Sequence, residues 1–281
     1  MIAKKKMNLS GSIYSAEKKY LNLLEDFFAR TWGETILWSH DIDHHRRVWQ
    51  FARELLATVS GISASNPQIS PEQLIVACYL HDLGMSADPG ADHGILSSHL
   101  CKRFLAENNL SESQFAETLS AIENHDNKEI PYASSQNQIL KILTAADDLD
   151  AFGFIGIYRY YEIYLARGVP PREIGHMISR NAGLRFTNFK AAFGPFRELI
   201  SRHTERYLVL DEFYKVYNTQ LSERNNVSET SGDFPGVLNL FSEIIAGKRT
   251  ADEISFFKTK HQYNSLTDWY ISGFISALPD N

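Results

Sequence analysis

Histidine and aspartate side chains fall on the apolar faces of this chain's helices, and no other feature limits its folding as much. Imidazoles and carboxylates cost free energy when buried without partners, so several on inward faces imply helices that converge on something to bind. Apolar residues recur at helical spacing from about Ala16 to Arg30 and again through each segment discussed below, while strand alternation with hairpin turns is absent. The expected fold is therefore all-α.

The central pair is His81-Asp82, which follows the apolar run Ala77-Cys78-Tyr79-Leu80 and precedes Leu83-Gly84. Such a pair alone is an ordinary hydrogen-bonded helix end, and its company is what points to a metal. Ser70-Pro71-Glu72-Gln73 reads as a capping box with proline in the first turn, after which Leu74, Cys78 and His81 share a face. Asp41 or Asp43 can cap the helix on which His44, Val48, Phe51 and Leu55 form one stripe. His45, rotated by about 100°, is expected at the rim or in solvent. His125 continues the stripe of Leu119 and Ile122 on a helix started by a second box, Ser111-Glu112-Ser113-Gln114. His93 lies on the line of Leu96, Leu100 and Phe104, with His99 as the second choice there, and Asp147 follows Leu140 and Leu143. The candidate set is thus His44, His81, Asp82, His93, His125 and Asp147.

In this order the residues resemble the HD-domain superfamily of metal-dependent phosphohydrolases, whose site residues run His, His-Asp, Asp. The matching positions are His44, His81-Asp82 and Asp147. His44-His45-Arg46-Arg47-Val48 is similar to the first motif, Leu80-His81-Asp82-Leu83-Gly84 to the second, and Ala146 to Gly153 to the last. The likeness covers roughly residues 35 to 165. It implies an HD-domain helical bundle with additional C-terminal helices, and His93 and His125 resemble the branch with two metals.

The donor types also speak for themselves. Imidazole with carboxylate suits manganese, iron, cobalt, nickel or zinc better than calcium, and magnesium would normally take more oxygen. One ion on His44, His81, Asp82 and Asp147 would keep positions open for water and substrate, and a second on His93 and His125 would make Asp82 a bridge. Such a centre lowers the pKa of water from about 15.7 toward 7 and suits attack on phosphorus. Arg47, Lys128 and Arg159 are candidates to neutralise phosphoryl charge, each set against ordinary surface charge. Asp148 is a candidate to orient the water or accept its proton, and Asp150 and Glu123 are candidates to orient ligating imidazoles.

The 281 residues, with 43% hydrophobic and 12% aromatic content, suffice for a large core. No stretch is apolar enough to span a membrane, and the lysines near Met1 precede no apolar run, so no secretory signal is read. Cys78 and Cys101 in apolar helical contexts fit a reducing cytoplasm without a disulfide. A net charge of -6 argues against a broad nucleic-acid surface and favours a small phosphorylated substrate or nucleotide.

The expected organisation is a metal-binding helical domain over residues 1–168 and a helical extension over 169–281. Phe152 to Tyr161 begins another helix, more simply core packing than a substrate wall. Pro170-Pro171 marks a break, Phe189 to Glu223 reads as long helix interrupted at Gly194-Pro195, Asn225 to Pro235 as a loop, and Thr250-Ala251-Asp252-Glu253 as a helix cap. His176, His203 and His261 form no constellation. These helices could wall the site, set substrate size or form a homodimer surface.

Three readings of function follow: a divalent-metal phosphohydrolase, a di-iron oxygenase on the same scaffold, and a nucleotide-sensing module without turnover. The complete ligand set argues against the third, while the first two share it.

Overall fold

The computed structural model describes residues 9–60, 69–90, 92–127, 131–223 and 265–277. All regular structure among them is helical, as the spacing predicts. The helices are α1 (Leu9–Trp32), α2 (Ile42–Ser60), α3 (Pro71–Leu80), α4 (His93–Glu107), α5 (Ala116–Asn124), α6 (Gln138–Asp150), α7 (Gly153–Ala166), α8 (Pro171–Phe193), α9 (Arg197–Glu223) and α10 (Ser265–Ala277). No helix among the described residues is long and apolar enough to cross a membrane. The expected loop at Asn225 to Pro235 and the cap at Thr250 lie outside the described residues, as does His261.

Two compact units partition the chain: Met1–Ile36 with His40–Leu149, and Leu37–Ser39 with Asp150–Asn281. In the first, α3 packs against α1, α2, α4 and α5. The run Leu74-Ile75-Val76-Ala77-Cys78-Tyr79-Leu80 is apolar all round, which suits a helix covered on every side, and each of these residues is buried. Burial of such side chains contributes about 1.5–3 kcal/mol for each large one, so α3 anchors this unit. Its start is fixed locally: Ser70 Oγ accepts from Gln73 N at 3.4 Å, and Pro71 occupies the first turn. The box is only half made, because the Gln73 amide donates to Gln114 O instead of returning to Ser70. Both cysteines are buried and free.

The box expected at Ser111 does not form. Ser111 Oγ pairs with Ser113 Oγ at 2.7 Å, Glu112–Phe115 make a 3-10 turn, and α5 begins only at Ala116. Side-chain pairing within Ser-x-Ser satisfies the hydroxyl locally and leaves it unavailable as a cap.

In the second unit α7 packs on α8, α9 and α10, and the short link between Phe193 and Arg197 folds α8 and α9 into a hairpin. The break falls where Gly194-Pro195 predicts it. Phe152, Ile157, Tyr158, Tyr160 and Tyr161 are buried, so the aromatic run is core packing. Tyr214 donates to Ile157 O at 2.7 Å, which satisfies a hydroxyl within that aromatic core. Gly156 is required sterically, since a Cβ there would sit 2.1 Å from Ala151 O. His203 is buried, with its ring edge-on to Phe189.

Candidate metal centre

Helix ends deliver every candidate ligand, because an end is where a side chain can leave a helix's own packing stripe and face other elements. His81 is the C-cap of α3 and Asp82 follows it. His44 stands in the first turn of α2, which Asp41 caps through Oδ1, accepting from Asp43 N at 3.0 Å and His44 N at 3.4 Å. His93 opens α4, and His125 caps the end of α5 rather than continuing it. Asp147 is near the end of α6, whose start is capped by Asn137 Oδ1 accepting from Ile139 N at 3.0 Å and Leu140 N at 3.1 Å. Thr144 of α6 donates to His125 O at 3.3 Å, which ties these two ends together.

The other five side chains gather around Asp82. Its Oδ2 lies 3.4 Å from His44 Nε2 and 3.3 Å from His81 Nε2. Its Oδ1 lies 2.9 Å from His125 Nε2 and 3.4 Å from His93 Nε2. His44 and His81 approach each other at 3.3 Å, and Asp147 Oδ1 stands 3.7 Å from the first and 4.0 Å from the second. The His93 and His125 Nε2 atoms are 3.4 Å apart. Two donor groups result, His44-His81-Asp82-Asp147 and Asp82-His93-His125, and they share one carboxylate.

Tautomers show what these groups are built to hold. His81 Nδ1 donates to Cys78 O at 3.0 Å, His93 Nδ1 to Gly90 O at 2.6 Å and His125 Nδ1 to Ile122 O at 2.7 Å. With Nδ1 protonated, a neutral ring turns a bare Nε2 lone pair inward, the arrangement that metal-binding histidines use. Lone pairs facing one another at such separations repel unless a cation or proton lies among them. The imidazole spacings of 3.3–3.4 Å match those between ligands on one ion, since bonds of about 2.1 Å set neighbouring donors roughly 3.0–3.5 Å apart, and Asp147 stands slightly farther off. The histidine and aspartate cluster is thus compatible with divalent metal binding.

Electrostatics point the same way. Burial opposes charge on Asp82, yet the surrounding imidazoles outweigh it and hold the carboxyl well below its usual range. Burial pushes His81 down, toward the neutral form. For His125 burial also lowers the pKa, but its hydrogen bond to Asp82 and the nearby carboxylates prevail and lift it to about 9. His93 is raised, again by Asp82 against burial. In the metal-free protein a proton on His125 Nε2 therefore stands where the second group would hold a cation.

Two glycines allow the approach. A Cβ on Gly94 would lie 2.8 Å from Glu123 O, so α4 and α5 can cross only without one, and a Cβ on Gly84 would lie 2.3 Å from His93 O. Gly84 sits in the turn Leu83–Ser86, beyond the end of α3 at Leu80, and its N–H donates to Ser97 Oγ at 2.8 Å.

Several expectations need correction. His45 is fully buried instead of facing solvent: Phe28 of α1 lies edge-on at 4.8 Å, and Nδ1 donates to Cys78 O at 3.2 Å, the carbonyl that also orients His81. Its Nε2 has no partner, and burial pushes its pKa well down. Glu123 is exposed, which removes it as an orienting group, and His99 is exposed too. Arg159 Nη1 is paired with Asp150 at 2.9 Å and its Nε donates to Ser39 O at 2.7 Å, so this buried guanidinium has a structural use. Asp148 is buried, Arg47 is half-buried, and Lys128 lies outside the described residues.

His40 was missed by the sequence reading. It ends the 3-10 turn Trp38–His40, is buried, and brings Nε2 to 3.6 Å from Asp82 Oδ2. A three-residue turn has no periodicity to reveal which way a side chain points.

Among known families, residues 41–151 match the family model described as HD domain, a span that contains all six converging side chains. No curated protein and no solved structure matches the chain.

Proposed function

With residues 41–151 as an HD domain, we propose that the chain is a divalent-metal-dependent phosphohydrolase acting on a small phosphate ester or nucleotide. The observation that carries this reading is the division of labour on Asp82, whose two oxygens face separate sets of inward imidazole nitrogens. His44, His81, Asp82 and Asp147 would hold one ion, and His93 and His125 with Asp82 a second. A divalent cation there supplies the positive charge that acidifies water and offsets charge developing on a phosphoryl group.

The chain's own groups do the rest. The Cys78, Gly90 and Ile122 carbonyls keep three imidazoles in the inward tautomer. Burial of the cluster raises the strength of every charge interaction within it. Asp148, buried next to Asp147, is assigned to accept the proton of the attacking water. Arg47 and Lys128 are assigned to meet phosphoryl oxygens.

The test is elemental analysis of the purified protein, followed by anaerobic assays of phosphate release from monoesters and nucleotides with manganese, magnesium, cobalt and zinc. Metal-dependent release without oxygen supports the reading. Turnover that requires iron and oxygen would replace it by the oxygenase, and tight nucleotide binding with no turnover in any metal by the sensing module.

A further inference from the structure

Asp82 Oδ2 faces three imidazoles, not two. His44 and His81 belong to a tight group in which every donor lies within 4.8 Å of every other, and His40 stands outside that group. Its Nε2 is nevertheless 3.6 Å from Oδ2, on the His44 side, where the two rings meet edge to face with centroids 5.2 Å apart. That separation is longer than a hydrogen bond. The first group already supplies four donors from His44, His81, Asp82 and Asp147, and an ion that turns over substrate keeps further positions for exogenous ligands. His40 is buried beside that group with its ring against His44, within reach of a ligand held on the Oδ2 side of Asp82.

We propose that His40 is a substrate-contacting residue: its imidazole N–H donates to an oxygen of the phosphoryl group bound at the first site, and it does not ligate the ion. The inference rests on the proposed function and adds a specificity contact that the HD-type residue order does not contain. An imidazole N–H donor beside Asp82 suits a ligand that brings its own negative charge and has to be held close to that carboxylate.

The experiment separates metal from phosphate. Wild type, His40→Leu and His40→Gln are titrated calorimetrically with Mn2+, and each loaded protein is then titrated with inorganic phosphate; absorption spectra of the Co2+-loaded proteins report the ligand set directly. The expected result is Mn2+ affinity and Co2+ spectra matching wild type in both variants. Phosphate binding should weaken roughly tenfold to a hundredfold in His40→Leu, the range of one hydrogen bond to a charged group, and recover in part with the amide donor of His40→Gln. Should His40→Leu not fold, His40→Asn, which draws the amide back from Asp82, carries the same expected loss. A fall in Mn2+ affinity or an altered Co2+ spectrum would make His40 an ion ligand and overturn the proposal, as would unchanged phosphate affinity. If loaded wild type itself binds no phosphate, the functional reading fails and takes this contact with it.

Discussion

Raising the pH should strengthen binding of the second ion far more than the first. His125 is the reason: its Nδ1 donates to Ile122 O and its Nε2 approaches Asp82 Oδ1 at 2.9 Å, so the metal-free ring carries both protons up to a pKa of about 9. A cation entering the second group has to displace the Nε2 proton. pH 7 lies about two units below that pKa, which corresponds to about 3 kcal/mol, or roughly a hundredfold in affinity. His81 of the first group is pushed down by burial and is neutral already, so no comparable penalty applies there. Mn2+ titrations between pH 6.5 and 8.5 should therefore show one step whose affinity rises about tenfold per pH unit and one that changes little. Repeating them in buffers of different ionisation heat should reveal at least one proton released with the steep step, from His125 with a contribution from His93, whose pKa is also raised. The same group affects stability with a defined sign. Its folded pKa is raised above 6.5, so its stabilisation of the metal-free fold is complete below 6.5 and is lost as pH rises through 9, by about 3 kcal/mol. Two pH-independent steps with no proton release would refute the reasoning.

Asp82→Ala should abolish metal occupancy at both groups while helical circular dichroism is retained, because the shared carboxylate belongs to each; unchanged metal content by elemental analysis would count against the assignment. Gly94→Ala should push α4 away from Glu123 O and separate His93 from His125, weakening the second ion about tenfold with the first unaffected in the same titration. Arg159→Met should break the buried ion pair with Asp150 and lower stability by about 3–5 kcal/mol in chemical denaturation, with no change in metal stoichiometry.

Much of this architecture was legible in the amino-acid order. Helical spacing of apolar residues gave the elements; Ser70-Pro71 marked where α3 starts; and an all-apolar run ending in His81-Asp82 announced a helix covered on every side with ligand-type groups at its tip. The misreading of His45 arises because periodicity is local. It placed His45 on the outer side of α2 because it cannot know that Phe28 of α1 covers that side. Ser111 is a different case, in which a second hydroxyl inside the motif, Ser113, takes the group that the cap needs.

What the order of residues determined is which side chains have the chemistry to hold a cation and on which helix ends they travel, since backbone geometry repeats within an element. Only the tertiary structure decided that Asp82 turns one oxygen to His44 and His81 and the other to His93 and His125, and that His40 joins the first side. Those relations join residues as far apart as His40 and Asp82 or Asp82 and His125, and they follow from how close Gly84 and Gly94 let neighbouring elements pack. Distances between elements arise from the packing of many side chains at once, and no single stretch of sequence encodes them.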